Sequence, residues 1–236
     1  MFIMMATLEE LRQQFKNELE NQDELFRLPF SMVCGGQTGS GKTFFIGQLI
    51  HDLREAGYQL NVIIFYGTDQ KLFDHFHPTE KYQGLDDFPE VVERYKEIDK
   101  DNKEKNPKDK VYTILILDDL MQKAADSKDV CDIITQGISH QGMSIVLVYQ
   151  NLLPQKKNAV TIAQNVKYKV FWYNPQSAGQ IKDVVRRMDT GKNTIIKMYQ
   201  ALVYRDPWEP LVIDCVKHRA WYGLQPDFIQ SLFLTT

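Results

Sequence analysis

The sequence predicts an α/β fold in which helices cover both faces of a mostly parallel central sheet. Short, nearly continuous runs of aliphatic and β-branched residues alternate with segments whose apolar residues recur at helical spacing. Such runs are typical of strands buried on both faces, and the intervening segments are typical of the helices that cover them. The 236 residues, 43% of them hydrophobic, suffice for one substantial core, and the 13 glycines and 9 prolines form no repeat. A collagen-like or wholly disordered chain is therefore excluded.

Strands and helices alternate along most of the chain. The predicted strands are residues 30–34, 60–66, 111–117, 144–149, 169–173 and 210–215. The predicted helices are an amphipathic one over 6–26, one over 42–56 that ends at Gly57, a helical segment near 91–95, and two more over 130–138 and 176–188. Residues 96–110 contain almost no apolar side chain and are expected to form a solvated, mobile insertion. The chain thus divides into an N-terminal helix and linker (1–29), an α/β domain (30–215) and a C-terminal tail (216–236).

A phosphate-binding loop follows the first predicted strand. Residues 36–43 match GxxxxGK[ST] after a strand and before a helix, the context that this motif requires. Its glycines let backbone N–H groups surround phosphate oxygens, and the helix N-terminus adds partial positive charge. We expect Lys42 to reach the β- and γ-phosphates and Thr43 to offer its hydroxyl to Mg²⁺. The predicted nucleotide-binding residues are Gly36, Gln37, Thr38, Gly39, Ser40, Gly41, Lys42 and Thr43.

Two carboxylates stand where the third predicted strand ends. Asp118 and Asp119 come directly after the apolar run over 111–117. Because side chains alternate at a strand end, the two acids can do different jobs. We expect Asp118 to hold Mg²⁺ and Asp119 to orient and deprotonate the attacking water. Capping of a helix N-terminus is the alternative role for Asp119.

Gln150 is the polar residue that follows the fourth predicted strand. In the additional-strand, RecA-like class of three-layer P-loop NTPases, the corresponding strand lies between the strand before the phosphate loop and the strand before the acids. That order would direct the Gln150 amide at the γ-phosphate, where it can hold water or phosphate by hydrogen bonds. The sequence therefore predicts a P-loop NTPase of this class.

Residues outside the phosphate-binding loop indicate which nucleotide is bound and which reaction is catalysed. No [NT]KxD guanine-recognition motif is present, which favours ATP over GTP. A small-molecule kinase remains open, since Arg186 and Arg187 are placed where a phosphate-clamping lid could use them. Against a kinase stand Asp119 and Gln150, because phosphoryl transfer to a bound substrate needs no acid that activates water.

Composition limits the compartment and the partners. The apolar run at the start of the chain is too short for a signal peptide. No segment approaches the roughly 20 apolar residues that span a bilayer, so no membrane partner is expected. Cys34, Cys131 and Cys215 lack the spacing of a disulfide framework or a zinc site, which favours a reducing compartment. Residues 1–150 carry a net charge of −9 and residues 151–236 a net charge of +6. A polyanion would therefore have to meet a local basic patch.

Together the motifs resemble those of a known group of viral proteins. GGQTGSGKT, LILDDLM, TQGISHQGMSIVLVYQNLLPQ and TIAQNVKYKVFWYNP are similar, in order and spacing, to segments of the genome-packaging ATPases of poxvirus-like and Polinton/adintovirus-like double-stranded DNA viruses. These ATPases belong to the FtsK/HerA superfamily of DNA-pumping motors. The likeness runs from about residue 30 to residue 215, and DDLM combined with YQNLLPQ is more specific than the phosphate loop alone.

The resemblance implies a homo-oligomeric ring that uses ATP and Mg²⁺ to move duplex DNA, independently of its sequence, into a preformed capsid. It also implies a capsid or portal partner and a place of action at virus assembly in the host cytoplasm or nucleus. Lys42, Thr43, Asp118, Asp119 and Gln150 fill the family's catalytic positions.

Two positions depart from the family pattern. This chain has Ser139-His140-Gln141 where relatives often place an arginine after the histidine, and Val160 where another arginine is common. Arg186 and Arg187 are therefore the candidates for the arginine finger that reaches a neighbour's γ-phosphate, and an ordinary charged helix face is the alternative. DNA contact is expected from basic residues of the second half, which are Lys156, Lys157, Lys167, Lys169, Lys182, Lys192 and Lys197.

The leading hypothesis is an ATP-driven DNA translocase that packages a viral or viral-like genome. A P-loop nucleoside or nucleotide kinase is the alternative. A non-motor, ATP-dependent switch that recruits partners is a third possibility.

Overall fold

The computed structural model describes residues 26–102, 104–106, 109–137, 142–150, 157–185 and 194–224. Their strands form one sheet of eight. The strands are β1 (Ser31–Gly35), β2 (Gln59–Tyr66), β3 (Glu80–Gln83), β4 (Val111–Asp118), β5 (Met143–Tyr149), β6 (Tyr168–Phe171), β7 (Leu211–Asp214) and β8 (Arg219–Tyr222). Their order across the sheet is β3-β2-β4-β5-β1-β6-β7-β8. The pairs β6–β7 and β7–β8 are antiparallel and the other pairs are parallel, which confirms the predicted fold class.

Helices and short helical turns connect the strands. The helices are α1 (Lys42–Glu55), α2 (Phe88–Asn102), α3 (Met121–Asp126), α4 (Lys128–Asp132), α5 (Lys157–Asn165), α6 (Ala178–Val185) and α7 (Thr194–Ala201). Three segments, Lys71–Phe76, Pro175–Ser177 and Leu202–Tyr204, are 3₁₀ turns, and Ile133–Gly137 is a π-helical turn. Among the described residues, no helix is both long enough and apolar enough to cross a bilayer.

Alternate residues of the central strands supply two apolar cores, one on each face of the sheet. Ile64 and Ile116 pack on the side of α1. Their chain neighbours Ile63 and Leu115 pack on the side of α2 and α5. Because strand side chains alternate between faces, a strand covered by helices on both sides has to be apolar throughout. This requirement explains why the central strands were recognisable in the sequence.

The sheet order brings the predicted site residues to one edge. β5 lies between β1 and β4, as the additional-strand class predicts. In the parallel register, Gly35 of β1 is opposite Tyr149 of β5, and Asp118 of β4 is opposite Val148. The three segments that follow these strands therefore start side by side.

Two predicted segments differ from the structure near the middle of the chain. Helix α2 continues to Asn102, into the segment expected to be a mobile insertion. It does so because Tyr95 and Ile98 extend its buried stripe, and the Asn102 amide donates a 2.7 Å hydrogen bond to the carbonyl of Val111 at the start of β4. The predicted helix over 130–138 is instead α4 followed by the π-helical turn.

The sheet also extends past the predicted domain boundaries. β8 lies beyond residue 215, and its Ala220 and Trp221 are buried, so these residues belong to the sheet rather than to a tail. Phe26 and Leu28, assigned to the N-terminal linker, are buried in the core on the α1 side. The sequence patterns also missed β3, α3, α5 and α7. The predicted helix over 6–26 lies outside the described residues apart from Phe26.

Candidate nucleotide-binding and hydrolysis site

The phosphate loop leaves β1 at Gly35 and enters α1 at Lys42. Gly41 has a φ of 94°, a left-handed conformation that glycine adopts without strain, and its carbonyl accepts the first hydrogen bond of α1. Gly36 has no room for a side chain, since a Cβ there would lie 2.8 Å from Ser40 Oγ and 2.9 Å from Trp172 Cβ. The loop is thus a tight turn at a helix N-terminus, the geometry that suits phosphate.

The Lys42 ammonium lies inside the loop. Its Nζ donates hydrogen bonds of 2.7 Å to the Gly36 carbonyl and 2.6 Å to the Gln37 carbonyl. Burial lowers the pKa of Lys42, and the negative charge of Asp118 opposes that shift. The ammonium is therefore held inside the loop with one of its three N–H donors still available to a phosphate oxygen.

Thr43 and Asp118 are linked through a side chain that the sequence patterns did not single out. Gln70 follows β2, and its Nε2 donates a 2.8 Å hydrogen bond to Asp118 Oδ2. Its Oε1 accepts a hydrogen bond of 3.4 Å from Thr43 Oγ1. A hydroxyl and a carboxylate within reach of one amide group make an oxygen donor set of the kind that Mg²⁺ prefers. The two predicted metal ligands therefore converge.

Asp119 and Gln150 meet beside this pair. The Gln150 amide donates a 2.8 Å hydrogen bond to Asp119 Oδ1, and both side chains are exposed to solvent. Asp119 has a φ of 56°, which turns it away from the direction of β4. The Asp119 backbone passes so close to Gly67 that a Cβ at that position would lie 2.6 Å from the Asp119 carbonyl oxygen. Helix α3 has Leu120 rather than Asp119 at its N-cap, so the capping alternative is wrong.

Of the two acids, Asp118 is buried and Asp119 is exposed. Burial and the neighbouring Asp119 carboxylate together raise the pKa of Asp118 to about 6, although the positive charge of Lys42 opposes the shift. Asp118 retains only 6% of its exposed surface. A cation beside Asp118 would stabilise its charged form, which is what a ligand for Mg²⁺ needs.

Comparison with models of known protein families shows which family this chain belongs to. The poxvirus A32 protein family matches residues 17–206. The chain belongs to this family. Membership in the A32 family confirms the resemblance to poxvirus-like packaging ATPases that the motifs predicted. No curated protein sequence is significantly similar to the chain.

Solved structures share the fold of this A32 family member. The genome-packaging NTPase B204 of Sulfolobus turreted icosahedral virus 2, solved with AMPPCP, has a TM-score of 0.60 at 15% identity over 84% of this chain and 98% of B204. B204 of Sulfolobus turreted icosahedral virus, described as a DNA-packaging ATPase, has a TM-score of 0.61 at 12% identity over 85% of this chain and 100% of B204. The cytoplasmic domain of the type VII secretion ATPase EccC of Thermomonospora curvata has a TM-score of 0.55 at 14% identity, over 82% of this chain and 25% of EccC. The predicted P-loop ATPase fold is thereby confirmed.

Two polar residues at the site of this A32 family member come from segments that carry no motif. Gln70 is one, and Asn174 is another. Asn174 follows β6 and is buried, and its Oδ1 accepts a 3.0 Å hydrogen bond from Gln37 Nε2 in the phosphate loop. The signal for both lay in their position, since each polar residue comes shortly after a parallel strand and parallel strands end at the same edge.

Arg186 and Arg187 lie outside the described residues, directly after α6 ends at Val185. Their role as arginine finger stays a prediction. Lys169 does not belong among the DNA-contacting lysines, because it is buried in β6.

Removing the Gln70 amide should weaken the metal site. We expect Gln70→Ala to raise the Mg²⁺ concentration needed for half-maximal ATP hydrolysis by about 10- to 100-fold, the usual effect of losing a side chain that orients metal ligands. Titrating Mg²⁺ at saturating ATP measures this shift. Gln59→Ala is the control, since Gln59 is exposed at the opposite end of β2. An unchanged Mg²⁺ dependence in Gln70→Ala would mean that the bridge between Thr43 and Asp118 has no functional role.

The buried charge of Asp118 should cost the metal-free protein stability at neutral pH. Its pKa rises on folding from 3.8 to about 6, so its contribution to folding stability is fully present below 3.8 and is lost as the pH rises through 6. Asp118→Asn should therefore be more stable than the wild type at pH 7.5, by about 3 kcal/mol. Thermal melts in EDTA between pH 4 and 8 measure the difference, which should shrink toward pH 4. The exposed-site variant Asp101→Asn should show no such pH-dependent gain.

Proposed function

We propose that this protein is an ATP-hydrolysing translocase that packages double-stranded DNA of a viral or viral-like genome into a capsid. The observation that carries the proposal is the Asp119–Gln150 pair beside the phosphate loop, with a hydrogen bond of 2.8 Å. A carboxylate held by an amide at this place suits the activation of water, so the site is built for hydrolysis. Membership in the A32 family and the fold shared with packaging NTPases support the same activity.

The chain's own residues divide the binding of Mg²⁺·ATP between them. Backbone N–H groups of the loop and the free donor of Lys42 would bind the phosphates. Thr43 Oγ1 and Asp118 Oδ2, which share the Gln70 amide, would hold Mg²⁺. When bound, Mg²⁺ would neutralise charge that develops on the β- and γ-phosphate oxygens.

Asp119 and Gln150 would act on the water. Asp119 is exposed and lies next to Asp118, so its carboxylate can accept a proton from a water molecule in line with the γ-phosphate. Gln150 donates its amide N–H to one oxygen of Asp119, which fixes the carboxylate and leaves the other oxygen free for the water.

Assembly into a homo-oligomeric ring would complete the site. Arg186 and Arg187 follow Val185, the last residue of α6, in the sequence. We assign them the task of reaching a neighbour's γ-phosphate, where an added positive charge would stabilise the transition state.

Duplex DNA would be held through its phosphates by the basic second half. Lys182 on α6 and Lys197 on α7 are exposed, which makes them accessible to a polyanion. Lys167 is less suited, since its ammonium lies 5.0 Å from the centre of the Tyr168 ring and donates to the Arg27 carbonyl. Lysine contacts to phosphate carry no sequence information, which suits a motor that must move along any sequence.

The response of ATP hydrolysis to duplex DNA tests this function. We expect long duplex DNA to stimulate hydrolysis and a non-hydrolysable ATP analogue to promote an oligomer visible by light scattering or electron microscopy. Raising the salt concentration should weaken the stimulation, because binding through phosphates releases counterions. Hydrolysis that ignores DNA, together with efficient phosphorylation of nucleosides, would instead assign the protein to the small-molecule kinases.

A further inference from the structure

A second cavity adjoins the phosphate loop on the side away from Asp119. Its volume is about 360 Å³, and it is lined by Gly41, Thr43, Phe44, Gln70, Leu72 and Trp208. The cavity that contains Asp118, Asp119 and Gln150 also includes Thr43 and Gln70. The two cavities therefore meet at the start of α1, so a nucleotide whose phosphates occupy one can extend into the other.

Trp208, one of the three tryptophans of the chain, lines this second cavity and is exposed to solvent. Its side chain retains 70% of its exposed surface, and that of Phe44, in the first turn of α1, retains 63%. By contrast, Trp172 and Trp221 are fully buried in the core. The indole of Trp208 thus contributes little to the core, while it lies against the loop: a Cβ on Gly41 would be 3.5 Å from Trp208 Cβ.

The backbone around Trp208 is held in place from three directions. Its N–H donates a 2.8 Å hydrogen bond to Asp206 Oδ1, and its carbonyl accepts one of 2.9 Å from Trp172 Nε1. Arg205 forms a two-point ion pair with Glu209, and the Arg205 guanidinium lies 4.2 Å from the centre of the Tyr222 ring. A fixed turn therefore presents a free aromatic face at the loop, which is the requirement for a stacking platform.

We propose that Trp208, with Phe44 across the cavity, forms the subsite for the nucleobase of the bound nucleotide. The proposal rests on the proposed nucleotide binding by the loop. The adenine of ATP is a flat π-system. It can stack on an indole because the face of the adenine and the face of the indole are both apolar and polarisable. Leu72 adds an apolar wall, and Gln70 and Thr43 stand at the border with the metal-binding cavity.

Binding of ATP and of inorganic tripolyphosphate separates the base from the phosphates. We expect Trp208→Ala in the full chain to weaken ATP binding by about 5- to 150-fold, the range for removing one aromatic–base stack. Tripolyphosphate, which lacks a base, should bind with unchanged affinity in isothermal titration calorimetry. The loop should stay intact in this variant because Trp172 is bonded to the backbone carbonyl of residue 208, which alanine retains.

Two further variants sharpen the test. Trp208→Phe keeps an aromatic ring and should retain most of the ATP affinity, while losing the quenching of tryptophan fluorescence that we expect ATP to cause in the wild type. Tyr204→Ala is the matched control, since Tyr204 is a 91% exposed aromatic residue just before the same turn. It should bind ATP as the wild type does. If Trp208→Ala is poorly folded, the fluorescence of Trp208→Phe still decides the question.

Other outcomes would overturn the assignment. Unchanged ATP affinity in Trp208→Ala, or an equal loss for ATP and tripolyphosphate, would contradict a base subsite. A variant that loses affinity for duplex DNA but binds ATP normally would assign the indole to DNA. If the wild type binds neither ATP nor tripolyphosphate, nucleotide binding itself is refuted. If Trp208→Ala weakens only ATP binding but duplex DNA does not stimulate hydrolysis, the base subsite stands and only the proposed translocase function is refuted.

Discussion

Asp119→Asn should bind ATP almost as tightly as the wild type and hydrolyse it about 10²- to 10⁴-fold more slowly, the usual loss when a general base is removed. In the proposed mechanism the carboxylate accepts the proton of water, and an amide of the same shape cannot. The backbone should be unaffected, because the left-handed φ of 56° at this position is one that asparagine also tolerates. Alanine would be a poorer choice, since it adds backbone strain to the chemical change.

Single-turnover hydrolysis and equilibrium nucleotide binding measure the two parts of this prediction separately. Asp101→Asn is the matched control, because it removes the same charge from the exposed end of α2, which is bonded to the start of β4 rather than to its end. Since Asp119 and Gln150 are hydrogen-bonded to each other and are proposed to position the same water, adding Gln150→Ala to Asp119→Asn should slow hydrolysis little further. Normal turnover in Asp119→Asn would remove Asp119 from the role of base.

The parts of the site that the sequence could predict are those fixed by neighbours along the chain. The turn at Gly41 and the position of Lys42 follow from a loop of set length between a strand and a helix. The placement of Asp118 and Asp119 follows from the end of an apolar strand. Gln150 required one further assumption, the position of β5 between β1 and β4, and the sheet order confirms it.

The rest of the site depends on contacts between distant segments. Gln70 and Asn174 lie in loops without a motif, and each becomes part of the site because a parallel sheet brings the ends of its strands together. Trp208 is 166 residues from Lys42 in sequence yet lines the same cavity. A single tryptophan in a loop carries no periodic signal, so sequence patterns had no means of distinguishing it from a core residue.

Errors of the element assignment have a similar origin. The charged residues after position 95 favoured a mobile insertion, but one buried stripe through Ile98 is enough to keep α2 helical as far as Asn102. Few apolar residues suffice when they fall at helical spacing and the other faces of the helix point to solvent. β8 was missed because its four residues include an arginine, Arg219, which the structure pairs with Asp214.

Lys42→Ala should have the opposite signature to Asp119→Asn, because it acts on binding. The ammonium is bonded to the Gly36 and Gln37 carbonyls of the loop, so it places a charged donor where the phosphates would bind. A hydrogen bond to a charged group contributes about 1.5–3 kcal/mol. Its loss should weaken ATP binding by about 10- to 150-fold.

The same substitution should also change the neighbouring acid. The positive charge of Lys42 lowers the pKa of Asp118, so its removal should raise that pKa above the value of about 6 in the intact protein. Metal-free Lys42→Ala should therefore lose more stability at pH 7.5 than at pH 5, and Asp118→Asn in the same chain should restore it. Lys100→Ala, which removes an exposed lysine near the end of α2, should change neither ATP binding nor this pH dependence. Wild-type ATP affinity in Lys42→Ala would mean that the loop binds phosphate through its backbone alone. An unaltered pH dependence of stability in this variant would mean that solvent, rather than Lys42, stabilises the Asp118 carboxylate.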